Sequence, residues 1–282
     1  MRMTPDQVKG KIKNIAKLNN ADARTLMRLF MMERFLERVA VSKYKDNFII
    51  KGGMLVTAMV GVALRSTMDI DTTIKNQALS ESEAKRIVDE ISKIDIGDGV
   101  TFEIKSVSTI MDDMEYPGIR ITMNAVMENL ITPIKIDIST DDVITPHAAE
   151  FEYKLLLEER SISLWSYNLE TILAEKLQTV LARGILNTRM RDFYDIYTLL
   201  SIYEKKIDGD ILLKAFTSTC NKRGTDNLSE LAYDTLEKLR DNIDLQKYWK
   251  SYQQKYTYAS EISYEDIMHS LEKIANKIIP KE

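Results

Sequence analysis

Cysteine and histidine are nearly absent from this sequence. The 282 residues include one cysteine, Cys220, and two histidines. A single cysteine excludes an intramolecular disulfide and a cysteine-rich zinc site, and two histidines leave a polyhistidine metal site nearly impossible. We therefore expect the protein to belong to a reducing cytoplasm.

Glycine, proline and long apolar runs are also scarce. The 10 glycines and 5 prolines argue against long structureless linkers and favour helices. The longest uncharged apolar stretch, residues 52–64, is too short to span a bilayer. Residues 1–5 lack the apolar core of a signal peptide. These features predict a cytoplasmic protein with no membrane partner.

Charge is unevenly distributed along the chain. The net charge is −4, yet residues 1–45 hold 11 Lys and Arg against 4 Asp and Glu. The overall balance excludes a uniformly basic nucleic-acid binder, whereas the basic segment leaves room for a local RNA docking surface. The alternative for that segment is an ordinary pair of solvated helices.

Hydrophobic periodicity and turn signals predict an α/β fold in three parts. These parts are N-terminal helices (1–45), an α/β core with a mixed sheet (46–165) and a helical C-terminal domain (166–282). The core begins with strand residues 47–50, a Gly52-Gly53 turn and a helix from Met54. Later predicted elements are strands Met68–Ile74, Val100–Thr109, Gly118–Met127 and Pro133–Ser139, and helices 80–92, Leu169–Arg183 and Thr188–Tyr203.

The most informative motif is Asp69-Ile70-Asp71. Alternate residues of a strand face the same side, so both aspartates would project together while Ile70 enters the core. Two adjacent carboxylates repel each other unless a cation lies between them, and Mg²⁺ prefers carboxylate and phosphate oxygens. Alone, such a pair is most often a solvated strand face.

A third acid and a glycine turn extend this pattern. Asp137 lies between two isoleucines in a predicted strand, where it either faces solvent or supplies a third metal ligand. Three carboxylates around two Mg²⁺ ions are typical of two-metal phosphoryl transfer. The adjacent Gly52 and Gly53 let backbone N–H groups approach an anion at a helix N-terminus, as a triphosphate requires.

In this order the motifs resemble the polymerase-β-like nucleotidyltransferase superfamily. Within it, the chain is similar to the AbiEii/AbiGii family of type IV toxin–antitoxin and phage abortive-infection nucleotidyltransferases. The resemblance covers roughly residues 1–205. Its closer motifs are Lys51-Gly52-Gly53, residues 65–71 (Arg-Ser-Thr-Met-Asp-Ile-Asp), residues 174–177 (Ala-Glu-Lys-Leu) and residues 191–196 (Arg-Asp-Phe-Tyr-Asp-Ile).

The resemblance implies a role for each matching residue. Asp69, Asp71 and Asp137 would hold two Mg²⁺, and Gly52, Gly53, Lys51 and Lys176 would bind the triphosphate. Since the superfamily often has serine at the position of Gly53, Thr67 or Ser66 would supply the hydroxyl. Asp192 or Asp195, with Asp192 favoured, would orient Lys176 or contact the nucleotide; the alternatives are a snorkelling lysine and a local salt-bridge network.

The implied activity is Mg²⁺-dependent transfer of a nucleoside monophosphate from an NTP to an acceptor, with release of pyrophosphate. The acceptor could be a tRNA 3′ end, and a cognate antitoxin is expected. The alternatives are a transferase acting on a small molecule or a protein, and a catalytically silent NTP-binding module.

Overall fold

The computed structural model describes residues 3–75, 79–110, 118–140 and 142–278. They form two compact units. The first comprises residues 1–142 and 148–167, and the second comprises residues 143–147 and 168–282, each within the described limits. Met1 and Arg2 of the basic segment, and the last four residues of the predicted helical region, lie outside the described residues.

The first unit contains a mixed seven-stranded sheet and the first four helices. Its strands are β1 (Phe48–Lys51), β2 (Ile70–Ile74), β3 (Thr101–Ile110), β4 (Gly118–Met127), β5 (Leu130–Thr140), β6 (Ala149–Lys154) and β7 (Ser161–Ser166). Its helices are α1 (Pro5–Leu18), α2 (Ala23–Val41), α3 (Gly52–Val60) and α4 (Glu81–Ser92).

The strand order is β3-β4-β5-β2-β1-β7-β6. The central strands β2 and β5 are parallel, and β4 is antiparallel to β5. In β5, buried Ile134, Ile136 and Ile138 alternate with more exposed residues, so the strand presents one face to the core and the other to the polar side. This alternation places Asp137 on the polar side.

The second unit is helical. Its helices are α5 (Leu169–Arg183), α6 (Met190–Tyr203), α7 (Gly209–Lys222), α8 (Ala232–Arg240), α9 (Ile243–Lys255) and α10 (Tyr264–Ile278). Asn168 caps α5 by accepting a hydrogen bond from the Thr171 amide, and Gly184, with a positive φ, follows its last residue. Among the described helices, none has the length and hydropathy to cross a membrane.

The structure confirms the predicted α/β class and mixed sheet, and it corrects two details. The strand predicted from Met68 begins at Ile70, so Asp69 lies in the bend just before β2. Strands β6 and β7 were not predicted, although residues 149–154 alternate polar and apolar side chains.

Candidate active site

Two of the predicted acidic residues lie side by side on parallel strands. Asp71 of β2 is directly opposite Asp137 of β5 in the strand register. Their flanking residues Ile70, Ile136 and Ile138 are buried. The hydrophobic alternation of both strands therefore turns both carboxylates to one face of the sheet.

The glycine turn is shaped around Asp71. The Gly53 amide donates a hydrogen bond to Asp71 Oδ2 at 2.9 Å. Gly52 has a φ of +57°, and a Cβ added there would lie 2.2 Å from the same oxygen. At Gly53, an added Cβ would lie 2.7 Å from Thr67 Oγ1. Both glycines are therefore required by the close approach of this chain's own polar side chains.

The environment of Asp71 opposes its ionisation. Burial, followed by the negative charge of Asp69, raises the pKa of Asp71 to about 6, against the hydrogen bond from Gly53. The charge of Asp137 acts in the same direction as that of Asp69. The three carboxylates therefore interact electrostatically, and a cation among them would relieve their repulsion.

Asp69 lies close to Thr67 of the predicted motif and to Lys135 of β5. The buried Thr67 hydroxyl lies 3.3 Å from Asp69 Oδ1, and Lys135 Nζ lies 3.8 Å from Asp69 Oδ2. Ser66 is half-buried, and its carbonyl accepts a hydrogen bond from the buried Arg65 guanidinium. Thr67 is thus close to both Gly53 and Asp69, whereas for Ser66 the structure shows a backbone contact.

Asp137 is held by an arginine from the neighbouring strand. Arg120 of β4 lies opposite it in the register, and its Nε and Nη2 atoms bind Asp137 Oδ1 and Oδ2 at 2.8 and 2.6 Å. These hydrogen bonds raise the pKa of Arg120. Both oxygens of the third predicted metal ligand therefore already interact with a cation.

Lys51 is also ion-paired. Its Nζ binds Asp142, which accepts further hydrogen bonds from Ser139 Oγ at 2.6 Å and Tyr167 Oη at 2.7 Å. Burial opposes ionisation of Asp142, but the charge and hydrogen bond of Lys51, with the two hydroxyls, keep its pKa below the usual value. Lys51 is thus oriented by a carboxylate that sequence analysis had not singled out.

In the second unit, Lys176 of α5 joins two aspartates of α6. Lys176 Nζ lies 2.9 Å from Asp192 Oδ1 and 2.7 Å from Asp195 Oδ2. Arg189 Nε lies 3.2 Å from Asp192 Oδ2. We call Lys176, Asp192 and Asp195 the lysine cluster. Since both aspartates contact Lys176, the contacts do not separate the two candidates.

Arg120 and Asp142 are the polar partners that sequence analysis missed. Arg120 belongs to a correctly predicted strand, but only the register with β5 brings it to Asp137. Asp142 follows β5 in a loop and carries no motif. A charged residue within the apolar strand Gly118–Met127 was the one available signal for Arg120.

The donor chemistry of the site fits a divalent cation in part. Asp69 and Asp71 provide the carboxylate oxygens that Mg²⁺ prefers, and the charges of Asp69 and Asp137 add to burial in opposing the ionisation of Asp71. In the described part of the chain, however, no three His, Cys, Asp or Glu side chains are arranged to hold a metal ion. Asp137 is paired with Arg120, so it would have to leave that arginine to serve as a third ligand.

The mixed sheet, with the Gly52-Gly53 turn beside Asp71, is the arrangement that the sequence motifs predict for a nucleotidyltransferase. The profile described as "Nucleotidyl transferase AbiEii toxin, Type IV TA system" matches residues 34–275. The chain therefore belongs to the AbiEii family of nucleotidyltransferase toxins. Membership implies an NTP substrate and an antitoxin partner.

Solved structures also resemble this chain. JHP933 from Helicobacter pylori aligns with a TM-score of 0.50 and 14% identity, covering 91% of this chain and 94% of its own. A protein described as a nucleotidyltransferase from H. pylori gives a TM-score of 0.49 and 15% identity, covering 91% and 97%. A nucleotidyltransferase-like antigenic protein from Paracoccidioides brasiliensis gives 0.39 and 13%, covering 83% and 94%. At this identity the JHP933 match shows the fold alone, and the search of curated proteins found no match.

Proposed function

We propose that this toxin transfers a nucleoside monophosphate from an NTP to an RNA hydroxyl, with Mg²⁺ bound by Asp69, Asp71 and Asp137. The observation that carries the proposal is the direct register pairing of Asp71 with Asp137 beside Asp69, next to the Gly52-Gly53 turn. When bound, Mg²⁺ would neutralise charge on the triphosphate and the leaving pyrophosphate.

The reaction requires one new P–O bond and the loss of another. The acceptor hydroxyl attacks the α-phosphorus, the bond from this phosphorus to pyrophosphate breaks, and the hydroxyl proton passes to the Asp137 carboxylate. The hydrogen bond from the Gly53 amide to Oδ2 holds the Asp71 carboxylate in position. Lys51, oriented by Asp142, would add positive charge beside the triphosphate.

A basic groove in the first unit supports RNA as the acceptor. It has a volume of about 570 Å³, and cationic and apolar residues line it together. Its lining contains no acidic residue; the cations are Lys9, Lys13, Arg24 and Arg28. Clustered cations of this kind bind a phosphate backbone, and apolar surface between them suits sugars and bases.

The groove leads towards the acidic residues. Pro133 lines the groove and belongs to the same strand, β5, as Asp137. Four residues of extended strand correspond to roughly 13 Å. On the other side, Arg28 Nη1 contacts Met68 Sδ at 3.2 Å, one residue before Asp69. An RNA strand bound in the groove could therefore present its terminal hydroxyl to the carboxylates.

The direct test is incubation of the purified protein with each labelled NTP, Mg²⁺ and total cellular RNA or protein, followed by gel analysis. We expect label in RNA, and we expect Asp69→Ala to abolish both labelling and growth arrest. Label in protein or in a small molecule would redirect the acceptor assignment. NTP binding without turnover on any acceptor would instead support a silent binding module.

The groove has a separate test. Replacing Lys9, Lys13 and Arg24 with glutamine should weaken RNA binding and flatten the slope of log affinity against log salt by roughly two. NTP binding should not change. A matched triple replacement of Lys85, Lys93 and Lys105, which are exposed and outside the groove, controls for total charge. Equal losses from both triple variants would show that the groove has no special role.

A further inference from the structure

Four charged residues face one another in register across four strands of the sheet. Lys51 of β1 is opposite Asp71 of β2, Asp71 is opposite Asp137 of β5, and Asp137 is opposite Arg120 of β4. Directly opposed residues share a face of the sheet. We call Lys51, Asp71, Asp137 and Arg120 the charged row; it has a cation at each end and two acids between.

The two cations differ in their counterions. Lys51 binds Asp142, a carboxylate outside the row that is also held by Ser139 and Tyr167. Arg120 instead binds Asp137, a member of the row, through two hydrogen bonds of 2.8 and 2.6 Å. Arg120 therefore neutralises one of the carboxylates to which the proposed function assigns a metal.

Arg120 and a divalent cation compete for the same oxygens. A bidentate guanidinium–carboxylate pair uses both oxygens in charge-assisted hydrogen bonds. The side chain of Arg120 is 37% exposed, so it can move without opening the core. A guanidinium also matches phosphate geometry, which gives Arg120 a second partner whenever a nucleotide is present.

We propose that Arg120 exchanges partners during substrate binding: it leaves Asp137 for a phosphate of the nucleotide, and Asp137 then becomes available to the metal. Arg120 is thereby a nucleotide-binding residue of the site, and it makes the binding of metal and nucleotide mutually favourable. This inference rests on the proposed function, because it assumes that Asp137 receives a metal and that the site receives a triphosphate.

The first test measures Mn²⁺ binding to the protein alone by electron paramagnetic resonance. Arg120→Met should bind Mn²⁺ about tenfold more tightly than wild type, because Asp137 has lost its competing cation. Lys51→Met is the matched control, since it removes one cation from the other end of the charged row and leaves Asp137 paired. It should gain clearly less. Equal gains in the two variants would reduce the effect to general charge and overturn the proposal.

The second test measures binding of a non-hydrolysable NTP analogue in EDTA, without metal. Asp137→Asn frees Arg120 and should bind the analogue about tenfold more tightly than wild type. Asp69→Asn removes the same charge but leaves Arg120 paired, so it should gain less. The double variant Asp137→Asn, Arg120→Met should lose the extra gain; if it keeps that gain, Arg120 does not bind the phosphate.

Circular dichroism melts identify any variant that fails to fold, and Arg120→Lys then replaces Arg120→Met. Arg120→Lys retains one charge without the bidentate geometry, so an intermediate Mn²⁺ affinity is expected and a wild-type affinity would contradict the proposal. These binding tests need no turnover. A wild-type protein that binds Mn²⁺ and the analogue but labels no acceptor would contradict the proposed transfer reaction without touching the role of Arg120.

Discussion

The lysine cluster and the charged row differ in how their carboxylates are neutralised. In the lysine cluster, Lys176 binds two aspartates at 2.9 and 2.7 Å, and its side chain is only 11% exposed while that of Asp195 is 0% exposed. In the charged row, Asp71 accepts a hydrogen bond from the Gly53 amide, and burial together with the charges of Asp69 and Asp137 raises its pKa to about 6. Both aspartates of the lysine cluster thus share one cation, whereas Asp71 lies beside further acids whose repulsion a cation would relieve.

This difference separates residues that support the fold from residues that await a ligand. A shared buried cation makes the protein depend on that cation for stability. Repulsion between neighbouring acids destabilises the fold. Removing one of these acids should therefore leave the free energy of unfolding unchanged or raise it, and should impair only the reaction. The variants below test whether the lysine cluster stabilises the fold and whether the charged row serves the reaction.

The largest expected effect is on stability, from Lys176→Met. The substitution leaves Asp192 and the fully buried Asp195 without their shared cation, which should lower the free energy of unfolding by about 3–5 kcal/mol. The matched control in the first unit is Lys135→Met, whose ammonium lies 3.8 Å from Asp69 and is exposed. It should change stability by less than about 1 kcal/mol. Denaturant unfolding measures both variants. Equal losses in the free energy of unfolding would contradict the distinction between the lysine cluster and the charged row.

Asp71→Asn should impair the reaction and leave stability intact, in contrast to Lys176→Met. We expect nucleotide transfer to fall by roughly 100- to 1,000-fold, the usual range for a lost electrostatic group. The melting temperature should stay the same or rise, because burial and Asp69 already disfavour the ionised form of Asp71.

The control for Asp71→Asn is Asp195→Asn, which should lower the melting temperature because it breaks a buried ion pair. Transfer of labelled NMP and thermal unfolding are measured on the same preparations. A melting temperature that falls equally in both variants would mean that Asp71 supports the fold as Asp195 does.

The sequence predicts these two regions unequally. Helix α5 is predicted at Leu169–Arg183 because its apolar spacing and the Gly184 stop both act locally. The three acids and the glycine turn are likewise visible as motifs. The pairing of Arg120 with Asp137 is not, because it depends on the register between β4 and β5, which a single sequence does not specify.

The missed strands have a related cause. Residues 149–154 alternate in the manner of β6 and pair with β7 in a local hairpin, but the pairing of β7 with β1 joins segments far apart in the chain. Likewise, Lys51 is visible as a cation in a motif, but its partner Asp142 lies 91 residues away. Local sequence motifs thus indicate the candidate site residues. Their ion-pair partners depend on contacts between distant segments, which the motifs do not specify.

Gly52→Ala tests how tightly the turn encloses Asp71. An alanine Cβ would lie 2.2 Å from Asp71 Oδ2, and the alanine backbone would have to adopt a φ of +57°. We expect a loss of about 1–3 kcal/mol in the free energy of unfolding, together with reduced transfer, because Asp71 must move.

Gly10→Ala is the control for that substitution. Gly10 lies within α1, and an added Cβ there meets nothing within 4 Å. Alanine should raise the free energy of unfolding by roughly 0.5–1 kcal/mol through helix propensity. A stable and fully active Gly52→Ala protein would show that Asp71 has more room than its contacts indicate.

Glu33 of α2 provides a third way to bury a carboxyl group, which is to keep its proton. Burial raises the pKa of Glu33 to about 8, although the Leu156 amide and the Tyr153 hydroxyl donate hydrogen bonds to it. Between its usual value of 4.5 and about 8, the folded protein holds a proton that the unfolded chain has released. The free energy of unfolding should therefore fall as pH rises through this window, by up to about 1.4 kcal/mol per pH unit, and level off above it.

Glu33→Gln has no such proton, so this part of the pH dependence should vanish. Urea unfolding of both proteins at several pH values between 5 and 8 measures the difference, and Glu152→Gln, at an exposed position of β6, is the control. If wild type and Glu33→Gln lose stability in parallel, Glu33 is already ionised in the folded protein. It would then need a cation as Asp195 does, and would resemble Glu37 of the same helix, which forms a buried ion pair with Arg34.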